Sequence, residues 1–224
     1  GALAQRRLAE VKRCAEIFGI ETEVLDIHDG ELLPTLENRK TIVRLIRQWG
    51  ADIVMCHRSN DYHPDHRNVG LLVQDAGYMV AVPFFCPDTP YLTRNPVFLY
   101  YDDGFKKPNP FSADIAVGID EVIEKKLAGA LALESQTLDG GCDGSPDLYP
   151  NDPQKRQARE EQVRGYFERS FAQTANQFRQ QLVNWYGQEK AGKIRSAEAF
   201  EICEYGRQPS KKEIRELFPF FPAP

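Results

Sequence analysis

Apolar residues recur at Leu8, Val11, Ala15 and Phe18, a spacing that lines one face of a helix. It predicts a helix from about Leu3 to Phe18, with Gly19 placed where a left-handed residue closes the last turn. Thr22–Leu25 reads as a short strand, and Asp26 to Gly30 as the loop leaving it. Ile42, Leu45, Ile46 and Trp49 form the stripe of a second helix from Leu36 to Trp49, ended by Gly50. Asp52–Cys56 is apolar without alternation, the pattern of a strand buried on both faces in a parallel sheet. After the polar loop His57–Tyr62 comes a third helix, Pro64–Ala76, with Val69, Leu72, Val73 and Ala76 inward. Val97–Tyr101 and Asp114–Val117 read as further strands, and a helix follows from about Asp120 to Leu133. This rhythm predicts an α/β fold, a Rossmann-like doubly wound and mostly parallel sheet, over residues 1–136.

The pattern changes after that point. Thr137–Pro153 is rich in Gly and Pro and reads as a long loop. A polar helix is expected from about Gln154 to Lys190, and the tail ends in Leu217-Phe218-Pro219-Phe220-Phe221-Pro222. Residues 137–224 thus read as a loop and a helical C-terminal extension on the same domain. The Phe218–Phe221 cluster must pack on the body or on a second subunit, which makes a homo-oligomer an expectation.

With 224 residues and 42% hydrophobic positions, the chain can bury a sizeable core. A net charge of −5 without any Lys/Arg run argues against a nucleic-acid partner. No apolar stretch approaches the ~18 residues of a membrane span. Cys14, Cys56, Cys86, Cys142 and Cys203 are widely spaced and form no C-x-x-C, which suits reduced thiols and disfavours a cysteine zinc site. A cytoplasmic location is the expectation. There is no G-x-G-x-x-G after a strand, which disfavours a dinucleotide-binding domain.

Ligands of open α/β sheets bind beyond the carboxyl ends of strands. Asp26, His28 and Asp29 follow the first predicted strand, and His57, Arg58, Asn60, Asp61, Tyr62, His63, Asp65 and His66 follow the second. Three of the four histidines lie within ten residues of one strand end, which a structural role does not require. Pro64 suits the first helical position and makes His63 the N-cap. His66 then sits in the first turn, where the helix dipole favours the neutral imidazole that metal binding needs. Asp65 lies between the two histidines and can orient an imidazole. A catalytic zinc takes three protein ligands and an open position. The residues offer His66, less clearly His63, and no obvious third.

The segment Asn60-Asp61-Tyr62-His63-Pro64-Asp65-His66 resembles the second motif, H-P-D-H, of the PIG-L/LmbE-like zinc-dependent N-deacetylases. Arg7-x-x-Glu10, Leu25-x-x-x-Asp29-Gly30 and Glu134-Ser135-Gln136 are similar to other family segments, although Leu133 stands where the last of these has a histidine. The resemblance implies a hydrolase that removes the N-acetyl group of an acetamido sugar with one Zn2+ per complete site. It implies His66 as a zinc ligand, and His63 as stabiliser of the oxyanion and proton donor to the leaving amine. Asp65 would orient a neighbouring group, and Arg7 and Asp29 would contact substrate. The family's first motif, A-H-P-D-D, carries two further ligands and the general base, and nothing before Arg6 matches it. The expectation is an N-terminally truncated, inactive member with weak zinc binding. The alternative is a non-catalytic ligand-binding or scaffold protein that keeps the fold.

Overall fold

A computed structural model describes residues 1–140, 149 and 151–222. The chain order begins with α1 (Ala2–Phe18), α2 (Leu36–Trp49), β1 (Ile53–Cys56), α3 (Pro64–Met79), β2 (Val97–Tyr101) and β3 (Ile115–Gly118). It continues with α4 (Ile123–Ala132), α5 (Glu134–Thr137), α6 (Pro153–Gln177), α7 (Arg179–Tyr186), α8 (Gln188–Lys193), β4 (Ala197–Gly206) and α9 (Lys211–Leu217). The four strands form a mixed sheet in the order β1-β2-β4-β3. β1 and β2 are parallel, with Ile53 opposite Val97 and Cys56 opposite Tyr100. β4 runs antiparallel to β2, with Leu99 opposite Ile202. The α/β expectation holds.

The chain divides into two compact units. The first comprises Gly1–Asp26, Val117–Arg179 and Gly192–Glu198. There α1 packs on α4, and Phe18 lies over Gly129. The glycine is needed for that approach, because a Cβ at position 129 would stand 2.4 Å from Phe18 Cζ. Gly129→Ala is expected to destabilise by about 1–3 kcal/mol through this overpacking, read by denaturant unfolding. The buried Glu10 carboxylate accepts the Ser135 N–H at 3.0 Å and the Ser135 hydroxyl at 2.6 Å, and so caps α5 from outside. Arg6 Nε lies 3.1 Å from Glu10, and Arg6 Nη1 donates to Asp139 at 2.6 Å.

The second unit comprises Ile27–Ala116, Gln180–Ala191 and Ala199–Pro224. Its core gathers Val43 and Ile46 of α2, Cys56, Val73 and Ala76 of α3, Phe98 and Tyr100 of β2, and Cys203 of β4. Arg47 is buried beside them. It donates to the carbonyls of Met79, Val80, Val82, Phe85, Cys86 and Thr89 at 2.8–3.0 Å. The apolar tail packs within this unit: Phe221 stacks on Trp185 with centroids 5.0 Å apart, and Phe218 faces Phe200.

Several expectations are corrected. Thr22–Leu25 is not a strand: it gains no ladder partner, and Val24 stays exposed. β1 is not buried on both faces, because it stands at the sheet edge with Met55 outward. The buried face of α2 is Val43, Ile46 and Arg47, and Trp49 is exposed. The polar helix Gln154–Lys190 is three helices, interrupted at Phe178 and at Gly187, whose φ of 77° no right-handed helix tolerates. β4 was not foreseen, since Glu198, Glu201 and Glu204 interrupt its apolar positions. Most of the predicted loop Thr137–Pro153, with Cys142, lies outside the described residues. No described helix is long and apolar enough to cross a membrane.

Candidate active site

The site lies in the second unit, beyond the end of β1. Two features position it. His63 is the N-cap of α3, and Pro64 fills the first helical position. Gly70, one turn beyond His66, lets α3 lie against the strand end: a Cβ there would meet the His57 carbonyl oxygen at 2.8 Å. The helix therefore crosses directly over residues 57 and 58, and the His57 and His66 rings stack with centroids 4.2 Å apart and planes within 3°.

His63 Nδ1 accepts the backbone N–H of Asp65 at 3.2 Å. A neutral His63 then carries its proton on Nε2, which faces Asp29 Oδ1 at 3.5 Å. The Asp65 carboxylate accepts the N–H groups of Gly30 at 2.7 Å and Leu32 at 3.1 Å, and Asn68 Nδ2 donates to the Leu32 carbonyl at 2.6 Å. Asp65 thereby ties the loop carrying Asp29 to the first turn of α3. The carboxylate set against an imidazole is that of Asp61. Its Oδ1 lies 3.1 Å from His66 Nδ1 and accepts the His63 N–H at 2.9 Å, and its Oδ2 lies 4.0 Å from His57 Nδ1. Burial, then the neighbouring His66, pushes the His57 pKa below its ordinary value, with Asp61 and Asp103 opposing.

The adjoining wall is fixed by Arg58, which is buried. It makes two bonds to the Asp103 carboxylate, at 2.7 and 2.6 Å, and donates to the carbonyls of Phe105 at 2.9 Å and Asn109 at 3.0 Å. The Arg58 guanidinium is held charged above its usual range by the hydrogen bond to Asp103. Asn60, Tyr62, Phe105, Lys106 and Lys107 line a groove of about 530 Å³ beside the histidines, and the Tyr62 ring stands edge-on to both His63 and His66.

Of the residues singled out in the sequence, Asp29, His63, Asp65 and His66 come together here. Arg7 lies on α1 in the first unit. His57 and Asp61 were not singled out, although both stand in the polar run after β1. Among the described residues, two groups have metal-ligating atoms within 4.8 Å of one another: His57, Asp61 and His66, and Asp29, His63 and Asp65. Imidazole nitrogen with carboxylate oxygen is a donor set that suits zinc, so these residues fit the metal the resemblance implies.

Residues 1–77 match the model of the PIG-L family, described as GlcNAc-PI de-N-acetylase. A diacetylchitobiose deacetylase of Thermococcus kodakarensis is 38% identical over 143 residues, 60% of this chain and 51% of that protein. The chain thus spans about half the length of this curated relative. Among solved structures, the 4-carboxy-2-hydroxymuconate hydratase GalB from Pseudomonas putida KT2440 superposes with a TM-score of 0.67 at 18% identity, covering 92% of this chain and 74% of that one. The N,N'-diacetylchitobiose deacetylase from Pyrococcus horikoshii gives 0.58 at 21% identity, covering 90% and 64%. A hydratase and a deacetylase share this fold, so the likeness of structure does not choose the chemistry.

Proposed function

We propose that this chain, which resembles the PIG-L/LmbE-like deacetylases, belongs to a zinc-dependent hydrolase that removes the N-acetyl group from an acetamido sugar. The observation that carries the reading is the setting of His63. Its Nδ1 is occupied by the Asp65 N–H, and its Nε2 is turned toward Asp29, with the His66 ring 4.8 Å away. The arrangement leaves Nε2 as the ring atom that can carry a transferable proton.

His66 would hold the ion. When bound, zinc polarises the amide carbonyl and lowers the pKa of water at the site. The chain's own residues do the rest. Asp29 accepts a hydrogen bond from a sugar hydroxyl and fixes the ring beside His63. His63 takes up a proton on Nδ1 from solvent, giving up the Asp65 N–H contact; the imidazolium then donates its Nε2–H to the developing oxyanion, gives that proton to the departing nitrogen as the C–N bond breaks, and returns to the neutral ring. The products are the free amino sugar and acetate, with the water oxygen in the acetate. The reading gives Asp65 a positioning role, because its carboxylate is committed to the loop that carries Asp29.

The base that takes the water proton is not among these residues. The sequence contains His63-Pro64-Asp65-His66 but no A-H-P-D-D. We therefore assign turnover to a protein that includes that motif, and expect none from the 224 residues alone. The test measures acetate and free amine released from N,N'-diacetylchitobiose by this chain and by the product of the full reading frame. Equimolar release by the longer product alone is expected. A folded, zinc-loaded longer product that releases neither would overturn the assignment.

A further inference from the structure

We infer that the groove beside the histidines holds the part of the substrate beyond the acetamido ring, and that this part carries an acid group. The substrate is then an acetamido sugar linked to a carboxylate- or phosphate-bearing aglycone. The inference rests on the proposed reading of His63 as proton donor to the leaving nitrogen and deepens it. Two ring steps lead from His63 into the groove. The Tyr62 ring lies 5.9 Å from His63, edge-on, and the Phe105 ring lies 6.3 Å from Tyr62. An aromatic-lined cleft with a few placed charges is how proteins hold small organic ligands. Here Lys106 and Lys107 supply the charges. Both are exposed, and among the described residues no carboxylate pairs with either ammonium.

The loop is built to present them. Every second residue from 103 to 109 is fastened to the segment after β1. Arg58 holds Asp103 and the carbonyls of Phe105 and Asn109, and the Lys107 carbonyl accepts from Asn60 Nδ2 at 3.2 Å. The Asp103 carboxylate also accepts the Phe105 N–H at 2.9 Å. Two solvent-facing lysines have no folding need of a buried arginine beneath them. A binding loop does, because a fixed loop loses less conformational entropy when a ligand docks. Charge sets the direction of the ligand. Asp29, Asp61 and Asp65 stand at the histidine end, so an anion is repelled there and drawn to the lysines. Asp61 also borders the groove, but its carboxylate is engaged by the His63 N–H and by His66. The neutral acetamido ring therefore lies at His63, and the acid lies over Lys106 and Lys107. N,N'-diacetylchitobiose has no acid to offer those lysines.

The test gives the product of the full reading frame three glycosides of one sugar: phenyl N-acetyl-β-D-glucosaminide and its para-carboxyphenyl and para-phosphonophenyl counterparts. For at least one acidic glycoside, kcat/KM is expected to exceed that of the neutral one on the order of tenfold, mainly through KM, and the ratio should shrink at high salt. Which acid is preferred tells carboxylate from phosphate. In the double variant Lys106→Gln, Lys107→Gln the ratio should fall to about one. Equal kcat/KM for all three glycosides would overturn the inference, as would a preference that persists in the double variant. If that variant fails to fold, salt decides: a preference that high salt leaves unchanged is not made by exposed lysines. Binding separates this inference from the reading beneath it. Each glycoside is titrated into the 224-residue chain while the Phe105, Lys106 and Lys107 amides are followed by NMR. Shifts with the acidic glycosides alone, beside a longer product that deacetylates none of the three, would sink the proposed function and leave the acid site standing. Equal deacetylation of all three without such shifts would do the reverse.

Discussion

His63→Ala, made in the protein that turns over, is expected to lower kcat about 1000-fold, close to 4 kcal/mol of transition-state stabilisation, while zinc content stays at the parent value. The split follows from the geometry. The proposed reading gives the ion to His66, so the metal has no need of His63. Its Nδ1 accepts from Asp65, leaving Nε2 to serve the leaving nitrogen. The same change removes an N-cap, which should cost about 1 kcal/mol of stability and appear as a modest fall in Tm. The measurements are kcat under saturating substrate and zinc per chain by elemental analysis. Loss of zinc with activity would make His63 a ligand of the Asp29–His63–Asp65 group. Retained zinc and a kcat within threefold of the parent would remove His63 from the chemistry.

The largest effect on folding is expected at Arg47. Its guanidinium donates to six carbonyls, among them those of Met79 and Val80 at the end of α3 and of Val82, Phe85, Cys86 and Thr89 in the turn beyond. Methionine keeps the length of the side chain but offers no donor. Arg47→Met should therefore leave several buried carbonyls unpaired and lower the unfolding free energy by about 3–5 kcal/mol. Arg47→Lys should lose roughly half as much, because an ammonium has three donors and cannot reproduce the planar fork. Both tryptophans, Trp49 and Trp185, lie in the same unit as Arg47, so their fluorescence follows its unfolding in denaturant. A loss below ~1 kcal/mol for the methionine variant would mean that water reaches those carbonyls in the folded state.

The helices that frame the site were legible because their signals are local. Gly19 and Gly50 sit left-handed at the ends of α1 and α2, and His63 and Pro64 open α3 as their chemistry dictates. What was not legible depends on pairing across the chain. The run Thr22–Leu25 has strand composition but no ladder partner, whereas β4, with glutamates at three positions, lies inside the sheet between β2 and β3. No local pattern announces that six carbonyls converge on Arg47. The H-P-D-H segment pointed to His63, Asp65 and His66. His57 joins them only because Gly70 allows α3 to press against its carbonyl. The orienting role expected of Asp65 toward an imidazole lies instead with Asp61, since the Asp65 oxygens are held by Gly30 and Leu32.

That last pairing bears on how the protein breathes. Residues 29–34 belong to no helix or strand, yet the amide protons of Gly30 and Leu32 are held by one side chain in the first turn of α3. Their exchange with solvent deuterium cannot outpace the opening of that contact. The slowest-exchanging amides of an irregular loop should thus be these two, and they should lose protection together with the start of α3, as one cooperative unit.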